Sequence, residues 1–311
     1  MKKNTLAIVI PAYKANFLYL ALESISKQTC KDFVLYIGDD SSPDDLYSIV
    51  KQFNGKINLH FRRFNENIGG KDLAGQWARC IDMIQNEEWI WLFSDDDIMD
   101  EKCVERFYHT INKYPQLDVV HFNSYIIGID GGLKAKANKF PEFLSAETYF
   151  SLRINNKILS FIVDYIFKIE IYEQVDRFKK FPLAWCADDA FWIKMATQNA
   201  IYTIDETYVY WRISDANISG TNDNFEVANK KINACIEYLN WVNDYMKDND
   251  IMDITTKADK FKWFSRQLLL VTSAIGFFDG LKILFNFYQK FNCSLLSLFN
   301  NTLIYIYIRT K

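Results

Sequence analysis

The sequence is short of the side chains that soft-metal and redox chemistry need. It holds three histidines, His60, His109 and His121, and none is spaced as part of a zinc site. Its six cysteines, Cys30, Cys80, Cys103, Cys186, Cys235 and Cys293, lie far apart with no CxxC. Scattered thiols in a long chain read as buried cysteines in a reducing compartment, not as a disulfide framework. A GxxxxGK[ST] phosphate loop is absent; "GGKDLAG" has its glycines and lysine at other spacings. No apolar run reaches the length of a membrane span. The run at residues 6–10 is too short for the core of a signal peptide and ends at Pro11, so it reads as a first core strand. A formal charge of −3 argues against general nucleic-acid binding.

Half of the 311 residues are hydrophobic and 16% are aromatic, enough for one large core or two modest ones. "LAIVI" (6–10), "FVLYI" (33–37), "INLHFRRF" (57–64), "WIWLF" (89–93) and "DVVHFNSYIIGI" (118–129) read as strands. Helical spacing follows the first three: Leu18, Leu22 and Ile25; then Leu46, Ile49, Val50 and Phe53; then Leu73, Trp77, Cys80, Ile81 and Ile84. Strands alternating with helices predict an α/β fold with a mainly parallel sheet. Residues up to Pro182 look irregular, "IYTIDETYVYWRI" reads as a strand pair or edge strand, and the pattern is helical from Phe225 on, broken near 248–253 and near Gly280.

In such sheets a ligand sits beyond the carboxyl ends of the strands. Four polar clusters fall there: Pro11, Ala12 and Tyr13; residues 39–42; residues 65–70; and Asp95, Asp96 and Asp97. Three adjacent aspartates after a buried strand need counter-charge or hydrogen bonds. A solvated turn is the plain alternative. Hard cations such as Mg²⁺ or Mn²⁺ suit carboxylates and neutralise a diphosphate. "CADDAFWIKMA" reads as a loop entering a helix, with Asp188 or Asp189 near its N-terminus as cap and first-turn acid. Trp185, just before them, sits in a loop; Trp77, Trp89 and Trp91 read as core.

"IVIPAYKA", "IGDDSSPD", "NENIGG", "LFSDDDIM" and "CADDAFWIKMA", in that order, resemble a family 2 glycosyltransferase of the GT-A fold over residues 5 to 220. The resemblance implies transfer of a sugar from a nucleotide diphosphate donor, UDP-sugar foremost, to an acceptor hydroxyl with inversion. It places Pro11, Ala12, Tyr13, Asp39, Asp40, Asn65, Asn67, Gly69 and Gly70 around the nucleotide. It places Asp95–97 at the metal motif, with Asp96 as chief ligand of Mn²⁺ or Mg²⁺ and Asp95 on ribose or metal. Asp189 aligns with the general base, Asp188 with a cap or acceptor contact, and Trp185 falls on the acceptor side. Two positions depart from the family pattern: Ser94 stands where an aspartate is usual, and Ser214 where a histidine is. Arg212 stands either against the phosphates or in a strand-end salt bridge. A nucleotidyltransferase and a non-catalytic sugar-nucleotide binder are the alternatives.

This reading divides the chain into a nucleotide-sugar half (1–100), an acceptor half (101–222) and a helical extension (223–311). Residues 255–311 carry eight Lys and Arg against two Asp, a net of +6. Basic amphipathic helices suit an anionic membrane surface; packing on the core or homo-oligomer formation is the other reading. A glycan or lipid-linked acceptor in bacterial surface-polysaccharide assembly, and a cytoplasmic site peripheral to the inner membrane, are the matching expectations.

Overall fold

The computed structural model describes residues 5–136, 139–213 and 224–310. Among them, ten strands form one mixed sheet: β1 (Leu6–Ala12), β2 (Phe33–Asp39), β3 (Leu59–Arg63), β4 (Trp89–Leu92), β5 (Ile98–Met99), β6 (Val119–Ile127), β7 (Leu133–Lys136), β8 (Phe143–Leu144), β9 (Tyr165–Lys168) and β10 (Ile201–Arg212). The order is β3-β2-β1-β4-β9-β6-β10-β5, with β7 on β6 and β8 on β10. β3, β2, β1 and β4 run parallel. β9 is antiparallel to both its neighbours, and β10 is parallel to β6.

The helices are α1 (Leu18–Ser26), α2 (Leu46–Val50), α3 (Leu73–Ile81), α4 (Cys103–Lys113), α5 (Ala146–Ile154), α6 (Ile169–Gln174), α7 (Ala187–Gln198), α8 (Phe225–Asp248), α9 (Lys257–Leu270), α10 (Phe277–Lys290) and α11 (Leu295–Arg309). Strand alternation sorts β1 between two apolar layers. Leu6, Ile8 and Ile10 pack with Leu18, Leu22 and Ile25 of α1. Ala7 and Val9 belong to the other layer, with Ala74, Cys80 and Ile81 of α3.

The predicted strands and the first three helices are present. Residues 146–182 are more ordered than their pattern indicates, because α5, β9 and α6 are each too short to show a clear period. "IYTIDETYVYWRI" forms one inner strand, not a pair or an edge. Its register on β6 jumps from Ile204↔Phe122 to Tyr208↔Asn123, so residues 205–207 bulge out and mimic a turn. The first helical break falls between α8 and α9 as expected. The second falls at 271–276, ahead of Gly280. Gly280 instead sits inside α10, where a Cβ would lie 2.0 Å from the Tyr305 hydroxyl of α11.

The helical extension does not stand apart. Ile232 and Leu239 of α8 and Phe261 and Phe264 of α9 share one apolar layer with Tyr149 of α5 and Phe191 of α7.

Candidate active site

Because β1, β2 and β4 run parallel, the segments that follow them meet on one rim. They open into a groove of about 670 Å³ that reaches from Asp40 and Gly69, past Asp96, to Asp188 and α9.

At the first end, two buried aspartates hold the loops in shape. Asp39 accepts hydrogen bonds from the Ser42 amide (2.7 Å) and from Arg63 (2.7 Å). Asp40 accepts from the amides of Ile68 (2.9 Å) and Gly69 (2.8 Å), from Asn67 Nδ2 (3.0 Å) and from Arg79. This pins residues 67–69 to the end of β2. A Cβ on Gly69 would lie 2.5 Å from Asp40 Oδ2, so the backbone closes in only because residue 69 has none. Pro11, Ala12, Tyr13, Asp40, Asn67, Gly69 and Gly70 reach the groove wall. Asp39 lies behind it, committed to Ser42 and Arg63, and Asn65 is exposed away from it.

The three aspartates after β4 diverge. Asp95 Oδ2 accepts from the amides of Tyr13 (2.7 Å) and Lys14 (2.9 Å), fixing the turn after β1. Asp97 turns inward, accepts from the Arg212 amide (2.6 Å), and leaves its second oxygen buried without a hydrogen bond. Asp96 faces the groove, 3.8 Å from Lys14 Nζ. Burial, then the charge of Asp95, pushes the Asp96 carboxyl up to about 6. Burial and the neighbouring Asp96 hold Asp97 well above the usual carboxylate range.

The expected trio of metal ligands is therefore corrected. Asp95 and Asp97 are engaged by backbone amides, and among the described residues no three His, Cys, Asp or Glu side chains converge. The residues present fit a hard cation held by Asp96, with Asp95 on the same groove wall, leaving the other positions to diphosphate and water as Mg²⁺-type ions accept. Arg212 is also reassigned. It is fully buried off the groove, donates to the carbonyls of Asp96 (2.8 Å) and Gly128 (2.8 Å), and lies 4.4 Å from the Phe17 ring. Its role here is to hold the backbone of Asp96. Position 214 lies outside the described residues.

At the far end, Cys186 caps α7 in the left-handed conformation and Asp188 and Asp189 enter its first turn. Successive residues of a helix point about 100° apart. Asp189 turns to α5, where Arg153 grips it through Nε (2.7 Å) and Nη2 (2.8 Å) and Tyr149 donates at 2.6 Å. Asp188 turns to the groove, and its carboxyl meets no side-chain donor among the described residues. Burial, then the adjacent Asp189 charge, pushes its carboxyl up to about 7. Asp189, the residue aligned with the base, is thus held in an ion pair, and Asp188 is the one of the two that faces the groove without such a pair.

Trp185 reaches the groove, with Lys231 Nζ 4.5 Å from its ring centre. Trp89 and Trp91 are core as expected, whereas Trp77 lines the groove and packs edge-on against Phe178. Lys14, Arg153, Trp263 and Gln267 also belong to the site. Sequence spacing held no signal for them, since Lys14 follows β1, Arg153 comes from α5, and Trp263 and Gln267 come from α9.

The model of glycosyl transferase family 2 matches residues 7–174. The chain belongs to that family. The nucleotidyltransferase alternative falls away, and residues 175–311, which include Asp188, lie beyond the match. An uncharacterized glycosyltransferase of Rickettsia typhi is 23% identical over 231 residues, 71% of this chain and 69% of its own length. Glycosyltransferase GlyG of Streptococcus pneumoniae is 29% identical over 121 residues, 39% of each chain. The S. aureus TarS 1-349 structure in complex with UDP-GlcNAc superposes with a TM-score of 0.61 at 15% identity, covering 98% of this chain and 92% of that one. A mannosyltransferase from Pyrobaculum calidifontis, in complex with GDP-Man and Mn²⁺, gives a TM-score of 0.53 at 10% identity, covering 94% and 77%. These neighbours share the GT-A fold: a mixed sheet flanked by helices.

The Arg153–Asp189 pair yields a structural prediction. Arg153→Ala strands a buried carboxylate and should cost about 3 kcal/mol of stability, the usual scale for breaking a buried pair. Urea denaturation measures it; an unchanged midpoint would show that the pair does not anchor α7 to α5.

Proposed function

We propose that this family 2 glycosyltransferase moves a sugar from a nucleoside diphosphate donor, UDP-linked foremost, to an acceptor hydroxyl with inversion at the anomeric carbon. One observation carries the reading. A free carboxyl pushed up to about 7, Asp188, faces the same groove as the metal-competent Asp96. The bound UDP-GlcNAc of the TarS neighbour supports the choice of donor.

The base and diphosphate then occupy different stations along the groove, as single displacement requires. The acceptor oxygen bonds to the anomeric carbon as the bond from that carbon to the diphosphate oxygen breaks. The hydroxyl proton passes to Asp188, and nucleoside diphosphate leaves. A base poised near neutral pH balances availability against proton affinity. Mn²⁺ or Mg²⁺ on Asp96, when bound, neutralises charge on the diphosphate. The Lys14 ammonium beside Asp96 supports the same charge, while Asp95 and Arg212 hold that loop in register. The acceptor is a glycan or lipid-linked glycan of the bacterial surface.

kcat/KM for transfer should show an acid limb near pH 7, because protonated Asp188 cannot accept a proton, with the rate falling about tenfold per pH unit below it. Asp188→Asn should remove the limb and lower turnover by about 10²-fold or more, with nucleotide affinity nearly intact. Loss of that size in a stably folded Asp189→Asn, with Asp188→Asn active, would return the base to Asp189.

The cation reading has its own check. Asp96→Asn and EDTA should each depress donor affinity and turnover, and Mn²⁺ or Mg²⁺ should reverse only the chelator. Full activity in EDTA contradicts it.

The extension supports membrane contact in a cytoplasmic, peripheral setting. No described helix is long and apolar enough to cross a bilayer. Yet α11 is inside out: Leu295, Leu296, Phe299, Leu303 and Tyr307 are exposed, while Asn301 and Arg309 turn inward, Arg309 donating to the carbonyls of Thr272 and Ile275. Phe278 and Phe285 of α10 are exposed with Lys282 between them. Exposed apolar residues beside the exposed Lys282 fit an anionic lipid surface. The protein should co-sediment with phosphatidylglycerol vesicles more than with phosphatidylcholine vesicles, and Phe299→Glu should weaken this. Equal sedimentation, or a dimer broken by Phe299→Glu, supports the oligomer reading instead.

A further inference from the structure

We propose that α9 completes the acceptor subsite and that this subsite takes a neutral pyranosyl residue. The inference rests on the transferase reading above and specifies its acceptor. Beyond Asp188 the groove ends on a wall made by Trp185, which precedes α7, and by Trp263 and Gln267 of α9. Trp263 and Gln267 are four residues apart, so one helix face presents both. The remainder of α9 is immobilised: Phe261, Phe264 and Leu268 are fully buried. The helix packs on α5, the element that supplies Arg153 and Tyr149 to Asp189. The wall and the base-bearing helix α7 are thus fixed to the same support.

Its chemistry matches a sugar ring. A pyranose has flat C–H faces and a rim of hydroxyls. Indole rings offer an apolar face and an N–H donor, and an amide offers donors and acceptors together. Among the described residues, the Gln267 amide and the indole N–H groups of Trp185 and Trp263 have no hydrogen-bond partner. They are available to ligand hydroxyls. Lys231 sits over one face of the Trp185 ring, which leaves the opposite face for a ligand.

Charge narrows the class. The two cations nearest this wall are committed, Lys231 to the Trp185 ring and Arg153 to Asp189. Asp188 and Asp189 stand beside it. A uronic acid or sugar phosphate would meet these carboxylates, with Arg153 already paired and Lys231 held against the Trp185 ring, whereas a neutral sugar meets none of that cost.

The full chain is assayed for nucleoside diphosphate release from UDP- and GDP-sugars, with methyl β-glucoside, methyl β-galactoside and methyl β-N-acetylglucosaminide as acceptors. Methyl β-glucuronide and glucose 6-phosphate are the anionic comparison. A neutral glycoside should stimulate release and the anionic pair should not. Gln267→Ala and Gln267→Glu should each raise the acceptor KM by about tenfold, the scale of losing one or two hydrogen bonds, while the donor KM moves by less than about twofold. Thermal melts confirm that both variants are folded. Stimulation by the anionic sugars, or an acceptor KM unmoved in both folded variants, overturns the inference alone. No nucleotide release from any donor by the unmutated protein overturns the transferase reading and the inference together.

Discussion

The two-pronged ion pair from Arg153 to Asp189 is the constraint on which the site depends. It crosses from α5 to α7 and takes one of two adjacent carboxylates out of play. Once Asp189 is locked, the turn of the helix decides the direction of Asp188. Burial, and then the neighbouring Asp189, raises the carboxyl of Asp188 to about 7. A single contact therefore sets the aim of Asp188, while burial does most to raise its proton affinity. Tyr149 belongs to the same unit, since its hydroxyl also bonds Ser160, which lies on the groove wall.

The rest of the rim follows the same logic. Repulsion among crowded carboxylates is relieved by giving most of them structural duties. Asp39, Asp40, Asp95 and Asp97 all accept backbone amides that shape the loops around the groove. Of the acids that line the groove, Asp96 and Asp188 accept no backbone amide that shapes a loop. Their elevated proton affinities are the residue of that arrangement, and they mark where charge and protons can be handled. Arg212 illustrates the difference between proximity and contact. Its chain position suggests a phosphate ligand, yet its guanidinium is spent on carbonyls behind the loop it supports.

Much of this was legible in the sequence. The apolar runs of β1, β2 and β4, each ending in polar residues, located the rim, and the family motifs named the segments that meet there. Direction was not legible. Which of Asp95, Asp96 and Asp97 faces the groove depends on amides of Tyr13, Lys14 and Arg212, far away in the chain. Which of Asp188 and Asp189 is free depends on Arg153, in a stretch whose short elements carry no readable period. The contribution of α9 was hidden for a related reason. Trp263 looks like core, and only the fold of the extension back onto α5 brings it and Gln267 to the groove.

The division of labour between the two acids is the centre of this account, and a direct titration tests it. Side-chain ¹³C NMR of aspartate-labelled protein, with Asp188 assigned through Asp188→Asn, reads its protonation without relying on turnover. The account predicts a midpoint for Asp188 of about 7. A midpoint near the ordinary aspartate value of about 4 would contradict it, because an acid ionised that readily is neither buried in the groove nor pressed by a locked neighbouring charge.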